Sequence, residues 1–417
     1  MTAATGAPTV VVVGASLAGL RAAEQLRAAG HTGSITVFGA EDHPPYNRPP
    51  LSKDVLADPE LTDAEAMLGR LTFRRRASTA DVDFRLGVEV TGANLAARTL
   101  ELAGADQVGF DGLVVATGLR PRRLTLPGPT AGRHVLRSLA DCLELKGALT
   151  QVTAGRIVVI GAGFIGCETA CTLAALGHRV TVVEPTGAPM NRVLGAELAA
   201  GVQRHHESAG IDFVIGPGVA GFTGDERVTG VELSDGTHLP AELVIESVGS
   251  ACNSEWLAGN EGLDLSDGVL VDNHLEAAPG VVAVGDVARF PNPLFDDIPR
   301  RVEHWSIPTD TAKRAAATLT ARLRGDALDP TTFAPIPSFW SDQGALRFQS
   351  FGSPALADEV RFTEGDPGAL LDGVLASYLR DGRVVGSIAI NLPPARQRGM
   401  REELLALVPD PQPGGDQ

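Results

Sequence analysis

Gly161-Ala-Gly163-Phe164-Ile165-Gly166 has the G-x-G-x-x-G spacing of a dinucleotide turn, and an acid, Glu184, ends the apolar run that follows. In such a turn the first glycine makes the tight bend. The second lets the backbone approach a pyrophosphate, and the third allows close packing of helix on strand. Glu184 then stands where a carboxylate accepts hydrogen bonds from both ribose hydroxyls, a preference for NADH over NADPH. NADPH would put a phosphate beside that charge, and Pro185, Thr186 and Gly187 follow where a phosphate site would offer arginine. Arg192, eight residues on, is the next cation after Glu184. A second, altered copy of the turn is Gly14-Ala-Ser16-Leu-Ala-Gly19. Ser16 replaces its middle glycine, and Gly39 rather than an acid ends its next apolar run. Ser16 can offer a hydroxyl to a phosphate and Glu41 can reach a ribose from the loop; the alternative is a purely structural turn.

Other reactive residue types say less by themselves. The segment Pro44 to Lys53 is stiffened by prolines and presents Arg48 and Lys53, as a rigid loop with solvated charges also would. Cys142, Cys167, Cys171 and Cys252 form no C-x-x-C pair, which disfavours dithiol chemistry. Cys167 and Cys171 share a helix face, where small buried thiols are the ordinary reading. No metal site is expected.

The elements that must carry these residues follow from the apolar pattern. Val10 to Val13, the first turn, a helix through Ala29 and Ile35 to Phe38 make one β-α-β unit. Ile157 to Ile160, the second turn, a helix to Gly177 and Val180 to Val183 make another. Leu113 to Ala116 running into Thr117 and Gly118, and Val244 to Gly249, look like the two crossings between domains. Val281 to Val284 brings the chain back to the first domain. From about Pro330 short alternating strands, among them Ala345 to Phe351, Gly373 to Leu379 and Val384 to Ile390, predict a small sheet domain with a helix near Arg398 to Leu407. The Asp381-Gly382 turn joins the last two strands.

The fold class is therefore α/β, with two Rossmann-like dinucleotide-binding domains plus a small C-terminal α+β domain. The predicted divisions are 7–118 with 248–328, then 119–247, then 329–408, with 409–417 as a disordered tail rich in Pro and Gly.

The chain has 417 residues, 44% of them hydrophobic and 21% charged, enough for two or three cores. Its formal net charge of -16 repels nucleic acid and anionic membrane. No apolar run approaches the ~20 residues of a membrane span, and the polar amino end leads directly into the run at Val10, so the expectation is a cytoplasmic protein.

Six segments in order resemble the FAD-dependent ferredoxin, rubredoxin and putidaredoxin-type reductases that serve bacterial oxygenases, relatives of glutathione reductase with a pyridine nucleotide-disulfide oxidoreductase-like fold. They are Arg48 to Lys53, Ala116 to Gly118, Gly163 to Glu168, Val284 to Ala288, Glu303 to Trp305 and Phe339 to Gln343. The resemblance covers nearly the whole chain and implies FAD on the first unit and NADH on the second. It implies that Gly14, Ser16 and Gly19 hold the FAD pyrophosphate, with Glu41, Thr117 and Gly118 also at the FAD and Arg48 lying along it. Lys53 stands beside flavin N5, paired with Glu168 as the catalytic couple, and Asp286 reaches the ribityl chain. Trp340 approaches the flavin from the C-terminal domain, with Glu303 and Trp305 lining its other side. NADH is taken by Gly161, Gly163, Phe164, Ile165, Gly166, Glu184 and Gly249. Ile307, Pro308, Thr311, Gly344 and Cys252 depart from the family pattern and bear on the shape of the flavin pocket. Pro308 is predicted to begin a helix through Leu323 whose positive end faces the flavin.

The implied activity is NADH-dependent reduction of a ferredoxin-type iron-sulfur protein, 2Fe-2S or similar, that supplies a cytochrome P-450 or Rieske oxygenase. A monomer or weak homodimer is expected, with Arg300, Arg301, Arg347 and Arg396 as a docking patch for the acidic partner. The rival readings are an NADH oxidase or tailoring flavoenzyme acting on a small molecule, and a slow redox-sensing flavoprotein.

Overall fold

The computed structural model describes residues 7–152 and 154–406. The tail 409–417 and the predicted helix end at Leu407 lie outside them. Val10–Val13 is the centre of a six-stranded sheet and is buried on both faces, which is why it reads as an unbroken apolar run rather than an alternating one. Parallel neighbours flank it, Ile35–Gly39 in the register Val10 to Ile35 and Gly112–Val115 in the register Val10 to Gly112. Asp83–Leu86 extends the sheet on one side. On the other, Val281–Ala283 lies parallel to Gly112–Val115, so a strand from late in the chain completes a sheet begun at its start. The helices Leu17–Ala28 and Ile307–Arg324 pack on one another across this sheet, with alanines such as Ala22, Ala23, Ala312 and Ala316 buried between them.

The second sheet repeats the first. Arg156–Ile160 sits between Arg179–Glu184 and Leu243–Glu246, with Ile211–Ile215 and the short Arg133–His134 at the edges, all parallel. The helices Phe164–Ala175 and Ala196–Ser208 belong to this unit. The two chain segments that join the units, Leu119–Pro121 and Ser250–Cys252, pair with each other as a two-stranded antiparallel ribbon. Arg120 reinforces it by donating to the Cys252 carbonyl at 2.7 Å, and Arg122 by donating to the Ser250 carbonyl at 2.7 Å.

The C-terminal sheet is five-stranded and antiparallel, in the order Ser338–Gln343, Leu346–Gly352, Arg383–Ile390, Val374–Arg380, Glu359–Glu364. Asp381 and Gly382 both take positive φ, as a two-residue hairpin turn of this hand requires. The final helix starts at Pro394, four residues before the predicted Arg398. Proline at the opening of a helix removes only an N–H that has no partner there, so it marks the start and not an interruption. Residues of this sheet, including Phe348, Ile388 and Ile390, share one core with Leu173 and Leu198 of the second unit and with Leu51 and Met67 of the first. Three parts of the chain thus meet around one apolar centre. Among the described residues no helix is long and apolar enough to cross a membrane.

Candidate active site

Both glycine turns close on a carbonyl. Gly14 has φ +114° and a Cβ there would lie 2.2 Å from the Ala116 carbonyl oxygen; Gly161 has φ +101° and would meet the Ser247 carbonyl oxygen at 2.2 Å. Neither position tolerates a side chain. Gly163 differs: a Cβ would meet nothing within 4 Å, so the space left by the missing side chain faces open solvent at the start of the Phe164–Ala175 helix. That is the vacancy a pyrophosphate needs beside the free N–H groups of a helix end. In the first turn Ser16 occupies the equivalent place and its hydroxyl makes no capping bond, which leaves it available to a phosphate.

A cleft of about 550 Å3 lies over the second turn, lined by Gly161, Gly163, Phe164, Glu184, Arg192 and Gly249 among others. Glu184 is pinned at its edge: Oε2 accepts from the Ala162 N–H at 2.9 Å, and Oε1 accepts from the Thr186 N–H at 2.9 Å and hydroxyl at 2.6 Å. Ile165 is exposed outside this lining, and Gly166 packs under the Gly161 carbonyl. Arg192, remote along the chain, shares the cleft with Glu184, because the chain turns back through Met190 in the left-handed region and starts a helical turn at Asn191.

Most of the residues expected around a flavin lie in the first part, where several of them contact the second. Glu41 does not stand free for a ribose: it pairs with Arg48 and accepts from the Tyr46 hydroxyl at 2.7 Å. Burial raises its pKa, but the Arg48 charge and the Tyr46 bond outweigh that and hold it below the usual carboxylate range. Arg48 also donates to the Arg137 carbonyl at 2.9 Å, and Arg137 reaches Asp286 at 3.3 Å. Burial pushes the Asp286 carboxyl up, with Arg137 opposing it. Thr117 and Gly118 are stitched to Asn253, which donates to the Thr117 carbonyl at 3.1 Å and to the Gly118 carbonyl at 3.0 Å. The Ile307–Arg324 helix begins one residue before Pro308, and Thr311 within it accepts from the Gly285 N–H at 2.9 Å, seating the Gly285-Asp286 turn. Two buried polar atoms near these segments, Asn47 Oδ1 and His304 Nδ1, have no partner within the protein. Unpartnered buried polar atoms, a free Ser16 hydroxyl and an open helix end fit an extended polar cofactor.

Lys53 Nζ lies 2.8 Å from Glu168 Oε2. Trp305 and Trp340 meet edge to face with ring centroids 5.2 Å apart, and Trp340 keeps 38% of its surface exposed. Glu303 accepts from the Ser250 hydroxyl at 3.2 Å and from Arg301 at 2.8 Å, beside the crossing ribbon. The four arginines read as a docking patch are each matched by this chain's own carboxylates: Arg300 by Asp296, Arg301 by Asp267 and Glu303, Arg347 by Asp342, Arg396 by Glu364 and Glu403. They do not form a free cationic surface.

Tyr46, Ser52, Arg137, Ser341, Gln343 and His206 also belong to the site or its support, and none was singled out from sequence. The available signal was in Phe339 to Gln343, where Ser341 and Gln343 take the inward positions of a strand that alternation would fill with apolar residues. The cysteines stay outside any exchange chemistry. All four are free, and burial pushes the Cys142 thiol up to about 11 and the Cys171 thiol up to about 12. Among the described residues no group of three or more His, Cys, Asp or Glu is placed to hold a metal ion.

Two family models match the chain: pyridine nucleotide-disulphide oxidoreductase over residues 8–312 and reductase C-terminal over residues 338–406. A probable ferredoxin reductase, CtmF, of Castellaniella defragrans is 35% identical over 389 residues, covering 92% of this chain and 90% of that protein. Putidaredoxin reductase CamA of Pseudomonas putida is 33% identical over 402 residues, covering 92% and 89%. Among solved structures, the covalent putidaredoxin reductase-putidaredoxin complex aligns with a TM-score of 0.84 at 30% identity, over 97% of this chain and 93% of that one.

Proposed function

The chain belongs to the pyridine nucleotide-disulphide oxidoreductase family, and from that premise we propose that it is an NADH-dependent FAD flavoprotein that passes electrons to a ferredoxin-type iron-sulfur protein serving an oxygenase. The observation that carries this reading is the Lys53–Glu168 ion pair, which joins the loop of the first nucleotide unit to the helix that follows the second turn, with all four cysteines free.

FAD, when bound, would supply the redox chemistry, hydride acceptance from NADH and single-electron release. Gly14, Ser16 and Gly19 would hold its pyrophosphate, and Arg48 and Asp286 would lie along its length. The turn Gly161 to Gly166 orients NADH, with Glu184 on the adenosine ribose and Phe164 and Gly249 along the cleft. Lys53 and Glu168 hold a paired ammonium and carboxylate where hydride transfer takes place. Trp340 from the C-terminal part and Trp305 from the first unit cover the site and keep water from it, while the exposed edge of Trp340 lies toward the electron acceptor. Residues 7–118 and 248–328 are assigned to FAD, 119–247 to NADH and 329–408 to the cover and partner face.

Purified protein is expected to be yellow and to release FAD, not FMN, on extraction, because FMN has one phosphate and leaves the Gly14 to Gly19 turn unfilled. NADH consumption is expected to rise strongly when a ferredoxin is added. An equal rate without ferredoxin, with oxygen as acceptor, favours an oxidase instead.

A further inference from the structure

Glu168 accepts more hydrogen bonds than its pairing with Lys53 requires. Ser52 donates to Oε2 at 2.7 Å, and Ser341 donates to Oε1 at 2.6 Å. Behind Ser341, Gln343 Nε2 lies 3.1 Å from the Ser341 oxygen, and Gln343 Oε1 lies 2.8 Å from His206 Nε2. Cys171 Sγ, 3.6 Å from His206 Nδ1, closes the line. Ser341, Gln343 and His206 are all buried.

The donor and acceptor types give this line one direction. A carboxylate only accepts, so Ser341 spends its single proton on Glu168 and its oxygen accepts from the Gln343 amide. The Gln343 carbonyl then needs a donor, which places the His206 proton on Nε2 and leaves Nδ1 to accept from the Cys171 thiol. Each bond points toward Glu168, an arrangement in which each polarises the next. Burial pushes the His206 imidazole down to about 4, so the ring is neutral near pH 7, as this direction requires.

Apolar side chains would fill the inner face of the Ser338–Gln343 strand without the desolvation cost of two polar ones. Something must favour the polar pair. Ser52 and Lys53 both bind Oε2, and Lys53 sits on a flexible four-carbon stem. Among the described residues, Ser341 is the sole side-chain donor to Oε1. We propose that Ser341, backed by Gln343 and His206, is a positioning residue for hydride transfer, holding the Glu168 carboxylate and through it the Lys53 ammonium in one orientation. This rests on the reading of the Lys53–Glu168 pair as the hydride-transfer site. The support comes from a different part of the chain than the pair itself, so the C-terminal sheet sets the geometry of a site whose charges lie elsewhere.

Rapid mixing of FAD-loaded protein with NADH tests it. Ser341→Ala is expected to slow flavin reduction about tenfold at saturating NADH, with the NADH Kd within about twofold of wild type. In a Glu168→Gln background the same change is expected to cost less than about twofold, because the group it positions is gone. Gln343→Met keeps the buried volume and is expected to behave likewise, which covers any failure of Ser341→Ala to fold. Equal losses in both backgrounds, or a loss that falls on Kd, overturn the proposal. A second readout needs no turnover: in 15N-histidine NMR at neutral pH, the His206 signal, identified by its loss in His206→Gln, is expected to be a neutral ring protonated on Nε2. A proton on Nδ1 or on both nitrogens reverses the line and overturns it too. If wild-type flavin is not reduced by NADH, the functional reading is wrong, and the NMR result still decides the direction of the line.

Discussion

Lys53 Nζ and Glu168 Oε2 stand 2.8 Å apart, although one lies just after the proline-bounded loop of the first nucleotide unit and the other on the helix that opens from the second turn. Their side chains are only 14% and 7% exposed. A pair this sheltered keeps each member only while the other is present.

Removing one member therefore costs more than removing both. Lys53→Ala or Glu168→Ala alone is expected to lower the unfolding free energy by about 3 kcal/mol, and the double variant by no more than either single one. Denaturant unfolding of the FAD-loaded proteins measures this. Losses that simply add would show that the two charges do not depend on each other.

NADH is expected to be preferred over NADPH by one to two orders of magnitude in kcat/KM. Glu184 stands against the 2'-phosphate, while Arg192 in the same cleft tempers the preference. Glu184→Ala is expected to bring the ratio below about tenfold, and Arg192→Ala to widen it. A ratio that ignores Glu184 would remove it from nucleotide selection.

The protein is expected to lose stability as pH falls from about 6.5 toward 4. His206 has its pKa lowered by burial from 6.5 to about 4, so over that interval the unfolded chain binds a proton that the folded one refuses. The stabilisation is complete above the unfolded value and fades through the folded one, by roughly 3 kcal/mol in all. His206→Gln is expected to flatten this part of the stability profile. A profile of unchanged slope in the variant would show that another group is responsible.

Because Arg347 and Arg396 are matched by Asp342, Glu364 and Glu403, each is expected to contribute little to holding an acidic partner. Arg347→Ala and Arg396→Ala are expected to change the KM for ferredoxin by less than about twofold, with the salt dependence of the rate unaltered. A several-fold rise in KM for either variant would restore the docking patch.

The central strands and both glycine turns were legible because their causes are local. Val10–Val13 and Ile157–Ile160 are apolar throughout since helices or sheets cover both faces, and a tight turn before a helix leaves glycine little substitute. What escaped depends on contacts between distant parts. His206 faces Gln343 only because the Ala196–Ser208 helix and the C-terminal sheet share a core, and Arg137 meets Asp286 only because the chain crosses between units twice. The carboxylate partners of the four arginines escaped for a related reason: Arg347 sits directly across a hairpin from Asp342, a pairing set by strand register and not by residue type. The helix at Pro394 began early because Pro393-Pro394 resembles a break until its position at the helix start is known.

The ribbon formed by Leu119–Pro121 and Ser250–Cys252 makes the two links between units into one mechanical part. Two separate tethers would each respond to strain on its own. Two strands bonded side by side resist sliding past each other, so a displacement of either link is carried into the other. A proline placed at Ala251, whose N–H belongs to a bonded strand, would uncouple the two links without touching either nucleotide turn.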